Sequence, residues 1–497
     1  MTRTDPRAGR REWIGLAVLT LPALLASMDL SVLFMAAPWL AADLAPTGPQ
    51  LLWIMDVYGF LMAGMLLTMG ALGDRIGRRR LLLAGAAAFG TASVLAAYAP
   101  TAELLVLARG LLGVAGATLA PSTLALLRGM FADPGQRRTA IGVWTAAFTG
   151  GIAVGPIVGG LLLEHFWWGS VFLINVPVMA LLLVLGPVLL PESRDRISKR
   201  FDLLSALLSI GAVLAVVHGV KELVHAGPGG WLALLAGFAL GAVFVRRQLR
   251  LPDPLIDVRL FRDGGFSAAF GGYVMMIVAS AGLGYLAVQY LQVVLEIRPF
   301  TAALWQLPTV ATTGIGIALS TTLVRRVRAA VIAGSALLVA AIGFLLVAQV
   351  EVDTAPAAVM AAYSVVTLGT GMLVPLAIDL IVGAAPADRA GAAAGLSEAG
   401  SELGGALGIA VLGSIAAAVY RSRFVPGELP PVATETVGSA IAAADALPDA
   451  LAETLIADAQ RAFTAGFTTA ATIMAALLAL TAALVTTRLR RSCVSGS

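Results

Sequence analysis

Cysteine, histidine and lysine are nearly missing from this chain of 497 residues, which has one cysteine, three histidines and two lysines. The single cysteine, Cys493, excludes a disulfide within the chain and argues against a cysteine metal site. The histidines, at 165, 218 and 225, do not have the spacing of metal ligands. Charged residues are also scarce, at 12% against about 25% in a typical soluble domain. These shortages exclude an ordinary soluble domain.

Long apolar runs take the place of the missing charge. Hydrophobic residues make up 59% of the chain and the mean hydropathy is +0.91. A membrane helix needs about 20 apolar residues, and the runs predict fourteen spans. The predicted spans are 13–36, 51–72, 81–99, 102–127, 139–163, 168–190, 202–220, 229–246, 266–292, 301–323, 328–349, 355–384, 393–420 and 463–487. The first run is longer than the apolar core of a signal peptide, which predicts an uncleaved helix.

The basic residues predict how these spans are oriented. Of the 33 lysines and arginines, 27 lie in loops that would face the cytoplasm if both termini did. Five lie in loops predicted to be outside: Lys221, Arg298, Arg421, Arg423 and Arg461. Arginine-rich loops stay on the cytoplasmic side, so we predict an N-in, C-in topology. The net charge of +4 therefore reflects membrane orientation, and nucleic acid is not a predicted partner.

The loop between predicted spans two and three reads GALGDRIGRRR. Its glycines allow a tight turn and close helix approach, whereas an ordinary basic loop would need neither them nor the acid. The loop resembles the signature G-x-x-x-D-R-x-G-R-R of the major facilitator superfamily. The resemblance implies a conformational role for this loop. The residues concerned are Gly70, Asp74, Arg75, Gly77 and Arg78.

Two further motifs resemble signatures of the same superfamily. LVLARGLLGVAGA resembles the fourth span, with Arg109 as its buried cation, and GGIAVGPIVGG matches the antiporter signature of the fifth span. The second motif contains small residues four apart, which allow close helix contact, and a proline, which permits a bend. The residues concerned are Gly151, Gly155, Gly159 and Pro156. In this family the second motif is associated with exporters.

The resemblance implies an all-α major facilitator fold of two six-helix bundles with two extra helices, as in the fourteen-span drug:proton antiporters. The predicted parts are an N-terminal bundle (1–190), the accessory pair (191–260), a C-terminal bundle (261–487) and a cytoplasmic tail (488–497). An external segment, 421–462, separates spans thirteen and fourteen. Leu451, Leu455 and Ile456 share one helical face, which indicates an amphipathic helix, although a linker is the alternative.

Charged residues inside spans cost about 2.5–3.5 kcal/mol on insertion scales and indicate function. Asp29 resembles the acid of span one, and WIMDVYGFLMAG and SEAGSELGGALGIAVLGS resemble spans two and thirteen of quaternary-ammonium exporters. We predict proton coupling by Asp29, Arg109 and Glu398. We predict substrate binding by Asp56, Glu402, Trp53, Tyr58, Trp144, Phe148 and Tyr290. The alternatives are a static ion pair for the charges and core or interface packing for the rings.

Asp56 has no cation in its own span, so we assign it to recognition of a second positive charge on the cargo. The run 301–323 has no acid where some of these exporters carry one, which lowers the expectation for larger divalent cations. Asp379 is close to an inner loop, where solvation is the alternative to function.

The sequence thus predicts a proton-coupled multidrug antiporter in the bacterial cytoplasmic membrane. It would export lipophilic cations such as dyes, quaternary ammonium antiseptics and cationic antibiotics, in contact with membrane lipid and as a monomer. The proton is the coupling ion, and no cofactor or metal is predicted. One alternative is an exporter of a lipid or an endogenous metabolite with the same fold. A membrane enzyme is disfavoured because we find no nucleophile or metal motif.

Overall fold

The computed structural model describes residues 8–192, 202–224, 229–251, 254–384, 390–424, 436–444 and 447–492. In this part of the chain all regular structure is helical. The α-helices are α1 (Arg10–Leu44), α2 (Gly48–Ile76), α3 (Arg78–Ala97), α4 (Ala102–Met130), α5 (Pro134–His165), α6 (Ser170–Leu173), α7 (Asn175–Leu189), α8 (Leu203–Val224), α9 (Gly230–Arg250), α10 (Gly264–Gln289), α11 (Pro299–Trp305), α12 (Leu307–Leu323), α13 (Ala329–Val347), α14 (Pro356–Gly383), α15 (Ala390–Arg423), α16 (Val437–Ala444) and α17 (Asp449–Ser492).

Among the described residues, fourteen helical segments are long and apolar enough to cross a membrane, which confirms the predicted number of spans. Several begin at a side-chain cap that satisfies a free backbone N–H group. Thr47, Thr101 and Asp133 accept the hydrogen bonds at the starts of α2, α4 and α5. Two spans are interrupted: α6 and α7 form the sixth, and α11 and α12 form the tenth.

Helix packing repeats between the two ends of the chain. In the first group of helices, α1–α7, α1 packs on α5, α2 on α4, and α3 on both α4 and α7. In the second group, α10–α17, α10 packs on α15, α12 on α14, and α13 on both α14 and α17. The same pairs of positions therefore meet in both groups, as expected of an internal repeat. The domain boundaries at 190 and 260 stay predictions.

The two groups meet mainly along two seams in the described residues, α2 against α15 and α5 against α11, and α1 also touches α10 and α16. At the second seam, Gly160 lies so close to Phe300 that an added Cβ would come within 2.7 Å of the Phe300 Cα. The Phe300 N–H donates to Glu164 at 3.3 Å. These contacts involve the helix ends predicted to be external. The accessory helices α8 and α9 pack on each other, and α8 also packs on α2 and α15, at the first seam.

The predicted external segment 421–462 is helical in part. Helix α16 lies within it, and α17 begins at Asp449 and continues through the membrane span. Leu455 is buried and Ile456 packs on the core, but Leu451 is exposed. The prediction of one shared apolar face therefore fails at Leu451. Residues 425–435 and 445–446 lie outside the described part of the chain, as do 193–201 of the predicted accessory region and 493–497 of the tail.

Candidate functional site

A cavity of about 530 Å³ lies between the two groups of helices. Its volume is within the range of about 300–1,000 Å³ typical of small-molecule sites. Both groups contribute to its walls, and the lining continues toward the predicted cytoplasmic ends of the helices. The lining residues discussed below are Asp56, Tyr58, Phe148, Pro156, Tyr273, Thr309, Thr313, Thr367, Thr370, Glu398 and Glu402.

Glu398 and Glu402 provide carboxylates in this cavity from the same face of α15, because residues four apart on a helix are neighbours. Neither forms an ion pair with any residue that the structure describes. Aromatic rings of Tyr58, Phe148 and Tyr273 lie in the same lining. Such rings attract cations through their negative faces, so the lining suits a cationic guest.

Asp29 and Arg109 form a buried ion pair between α1 and α4. The Arg109 guanidinium also donates through Nε to the Ile54 carbonyl at 3.1 Å, and it lies 4.7 Å from the centre of the Tyr58 ring. Arg109, which belongs to α4, is therefore held in place by contacts with α1 and α2. The pair itself is outside the cavity lining, to which Tyr58 belongs. The Tyr58 ring therefore connects the pair to the cavity.

Asp56 forms a second buried ion pair, with Lys221, and this corrects the sequence prediction. The sequence predicts an external loop at Lys221, but this residue belongs to helix α8 and only 1% of its side chain is exposed. Its Nζ donates to Oδ2 of Asp56 at 2.7 Å. Asp56 has no cation in its own span, as predicted, but a cation from another span, Lys221 on α8, pairs with it. The role of Asp56 in recognising a second cargo charge stays a prediction.

The predicted aromatic residues separate into two sets. Tyr58 and Phe148 line the cavity, and Trp144 stacks on Phe148 from outside the lining, 5.6 Å between ring centres. Trp53 instead faces Lys221, and Tyr290 packs on Phe467 while its hydroxyl donates to the Glu351 carbonyl. The structure thus does not bring Trp53 or Tyr290 to the cavity.

The basic loop between α2 and α3 turns at Gly77, whose φ of 115° favours glycine. A Cβ at Gly77 would also come within 2.5 Å of Glu192. Asp74 pairs with Arg78 at 2.5 Å within the loop. Gly70 stands near Pro121, where an added Cβ would have ordinary contact distance. The helix-packing role of a small residue is therefore not needed at Gly70.

Sequence reasoning missed Glu192, which accepts a hydrogen bond from the Arg79 backbone N–H at 3.2 Å. Its carboxylate lies 3.7 Å from the Arg79 side chain and 3.8 Å from that of Arg80. It links the loop to the end of α7. Arg75, in the same loop, also interacts with another residue.

The glycine stripe of α5 packs closely on α1. An added Cβ would come within 2.4 Å of the Leu24 carbonyl at Gly151, within 3.1 Å of the Met28 carbonyl at Gly155, and within 3.3 Å of the Val32 Cα at Gly159. Only residues without a side chain allow the two backbones to approach so closely. Pro156 lines the cavity beside this contact.

Comparison with known proteins now identifies the family. The model of the Major Facilitator Superfamily matches residues 19–409. This chain belongs to the major facilitator superfamily. It is similar to the multidrug efflux pump LfrA of Mycolicibacterium smegmatis, with 43% identity over 88% of each chain. It is also similar to the methyl viologen resistance protein SmvA of Salmonella typhimurium, with 36% identity over 81% of this chain and 82% of that protein.

Solved structures agree on the major facilitator fold. A bacterial homologue of the human lysosomal transporter Spinster, solved in an inward-facing conformation, superposes with a TM-score of 0.71 at 16% identity, covering 98% of this chain and 99% of that chain. The protein is therefore a transporter and not an enzyme, with an all-helical multi-pass fold in the bacterial inner membrane. Its substrates are small molecules, and membership of the family requires no cofactor.

Proposed function

We propose that this transporter exports lipophilic cations in exchange for protons, by alternating access of the cavity between its two groups of helices. Superfamily transporters place their substrate site between the two repeats. The multidrug efflux pump among its relatives is similar over most of its length, which supports drug efflux as the activity.

One observation carries the proposal: the cavity contains two carboxylates, Glu398 and Glu402, without a cation partner among the described residues. An uncompensated charge in an apolar setting is costly. A cationic guest or a proton would relieve that cost, and the two would compete because each neutralises the same group. Competition for one site is the simplest basis of exchange.

Asp29 and Arg109 supply a candidate for the proton path. Protonation of Asp29 would remove its attraction for Arg109, which is also held by α2 through Ile54 and Tyr58. A change in the pairing of Asp29 with Arg109 would therefore alter the contact between Arg109 and Tyr58, and Tyr58 belongs to the cavity wall. Inward proton movement supplies about 2.3 kcal/mol per charge for each 100 mV of membrane potential.

The contacts between the groups support an inward-open arrangement. Gly160 and Phe300 close the α5–α11 seam at the end predicted to be external. Glu398 and Tyr273, which line the cavity, lie near the helix ends predicted to be cytoplasmic. Cargo would therefore enter from the cytoplasm in this state, as an exporter requires.

The test is uptake of ethidium into inverted membrane vesicles with and without a proton gradient. Each of Glu398→Gln and Glu402→Gln should slow gradient-driven uptake about tenfold or more, because a hydrogen bond to a charged group contributes roughly 1.5–3 kcal/mol. The control is Glu103→Gln, since Glu103 lies at the outer end of α4 and bonds Gln50, away from the cavity. Uptake that ignores the gradient, or that persists in the double variant, would overturn the proposal.

A second candidate is export of an uncharged antibiotic. It is favoured by the four threonines on the α12 and α14 wall, Thr309, Thr313, Thr367 and Thr370, whose hydroxyl groups can hydrogen-bond an uncharged cargo. The two glutamate variants should leave equilibrium binding of an uncharged cargo intact and should weaken binding only of cations, because an uncharged cargo does not pair with a carboxylate.

A further inference from the structure

The accessory helix α8 brings a charged side chain to the seam between α2 and α15. Lys221 lies in the last turn of α8, and its side chain is 1% exposed. Its ammonium group donates to Asp56 at 2.7 Å and lies 4.0 Å from the centre of the Trp53 ring. An ammonium that is removed from water must be compensated in this way. Asp56 and Trp53 therefore both contact and compensate the buried ammonium group of Lys221.

Asp56 faces both this lysine and the cavity. Its Oδ2 accepts from Lys221, while its Oδ1 is buried without a hydrogen-bond partner among the residues that the structure describes. Asp56 also belongs to the cavity lining. The carboxylate thus has one oxygen bound to the lysine and one that is buried and has no hydrogen-bond partner in the described part of the chain.

The ion pair changes the charge that the cavity presents. Three acids of the described part of the chain line it, Asp56, Glu398 and Glu402. Lys221 neutralises Asp56. The cavity therefore presents the negative charge of at most two carboxylates, those of Glu398 and Glu402 on α15. Without the lysine, a cation with two separated charges could bind Asp56 on α2 and a glutamate on α15 together. With it, the second cargo charge lies near a resident ammonium group and is repelled.

We propose that Lys221 determines the charge specificity of the transporter, by occupying Asp56 as a built-in cation and thereby disfavouring cargo with a second positive charge. This proposal rests on the proposed export of cations. It also gives the accessory helices a functional role, because they supply the residue that sets the charge of the α2 side of the cavity.

A purely structural pair is the alternative. In that case Lys221 and Asp56 fasten α8 to α2, and the carboxylate contributes nothing to cargo choice. A third possibility is that a divalent cargo displaces Lys221 and uses Asp56 directly. The three cases predict different affinity ratios for cations of different charge.

The experiment measures equilibrium binding of ethidium, a monocation, and methyl viologen, a dication, to the purified full-length protein in lipid nanodiscs. Lys221→Met should raise methyl viologen affinity relative to ethidium about tenfold, because the dication can then pair with Asp56 as well as with a glutamate. Lys221→Arg should keep the wild-type ratio. An unchanged ratio in a folded Lys221→Met protein would overturn the proposal and favour the structural pair.

The paired variant Asp56→Asn with Lys221→Met tests the proposal even if the single variant does not fold. It removes both charges, so the cavity keeps the same net charge and the wild-type ratio should persist. A tenfold loss of methyl viologen binding in this variant would show that divalent cargo uses Asp56 by displacing the lysine, and the proposal would be wrong. Wild-type protein that binds neither cation would instead reject the proposed function itself.

Discussion

Two ion pairs that are buried in the described part of the chain, Asp29–Arg109 and Asp56–Lys221, have different surroundings. Asp29 and Arg109 both belong to the first group of helices, are enclosed by α1, α2 and α4, and lie behind the cavity wall. Asp56 and Lys221 join α2 to an accessory helix, and the acid is part of the wall. In the proposed exchange, the charge behind the wall would respond to protons without meeting cargo, and the charge in the wall would influence which cargo binds.

The same comparison extends to the two seams. The α5–α11 seam is closed by backbone contact at Gly160 and Phe300. At the α2–α15 seam, Gly59 lies against Ala406, where an added Cβ would come within 3.0 Å of the Ala406 Cβ, and α8 covers the seam from outside. The repeat is therefore symmetric in its packing but asymmetric in charge, because the α2–α15 seam receives a lysine from outside the repeat.

The largest expected effect comes from the pair behind the wall. Asp29→Asn mimics a permanently protonated acid, so it should abolish proton-driven export of every cargo, by about a hundredfold or more in initial rate. The measurement is ethidium transport in energised vesicles at matched expression. Asp43→Asn is the matched control, because Asp43 lies on the same helix but accepts from Trp168 at 2.6 Å, near the outer end. Proton-driven export that survives in Asp29→Asn would remove the pair from the coupling path.

The next effect concerns stability at the pair in the wall. Lys221→Met leaves Asp56 buried and uncompensated, which should cost about 3–5 kcal/mol of unfolding free energy. The variant that also carries Asp56→Asn should recover to within about 1 kcal/mol of the wild type, because neutral groups of similar volume replace the pair. Thermal unfolding in detergent measures both. Equal destabilisation in the single and paired variants would mean that packing, and not charge, holds α8 on α2.

A smaller effect is expected at the loop between α2 and α3. Asp74→Asn removes the 2.5 Å ion pair with Arg78 while keeping the shape of the side chain. It should slow turnover severalfold and change cation affinity less than threefold, because the loop lies outside the cavity. Steady-state transport and equilibrium binding separate the two quantities, and Asp74→Glu should restore part of the rate. A large loss of binding in folded protein would contradict a conformational role.

The smallest effect is expected at the ion pair between Asp202 and Arg247, at the membrane surface. Asp202 accepts from Arg247 at 3.0 Å and from the Ser205 hydroxyl at 2.6 Å. Burial opposes ionisation, but the bonds from Ser205 and Arg247 prevail and lower the pKa of Asp202 below its usual value of 3.8. Because folding lowers the pKa of Asp202, the ionised carboxylate stabilises the folded state. This stabilisation is complete above the pKa of the unfolded chain, and it is lost as the pH falls through the lowered pKa of the folded state.

Thermal unfolding between pH 3 and pH 7 tests the contribution of the Asp202–Arg247 pair to stability. Asp202→Asn should lower the melting temperature slightly at pH 7, and the difference from wild type should shrink toward pH 3. A difference that stays constant across the range would assign the effect to hydrogen bonding alone.

Much of the fold could be predicted because membrane spans are a local property. Each needs a run of apolar residues, and fourteen such runs are present. Arg109 was found because a charge within a run is conspicuous and costly. The predicted ends were less accurate: α1 extends to Leu44 and α17 starts at Asp449, since helices continue beyond the apolar run until a cap or turn ends them.

The candidate site was predicted only in part. Glu398 and Glu402 lie in the cavity, as their spacing on one helix allows. Tyr290 and Trp53 were predicted as aromatic residues near the membrane acids, and in the structure Tyr290 packs on Phe467 and Trp53 faces Lys221. Lys221 was missed, although one signal was available: it is one of only two lysines in the chain and directly follows an apolar run.

The sequence by itself determined the class of protein, the number of spans and most of the residues that bear charge inside them, Lys221 being the exception, because each follows from the cost of placing local groups in lipid. Only the tertiary structure decided which charges meet. Asp56 and Lys221 are 165 positions apart, and Asp29 and Arg109 are 80 apart. Pairing at such separations depends on which helix faces pack together, and that choice depends on the shapes of all the helices around them.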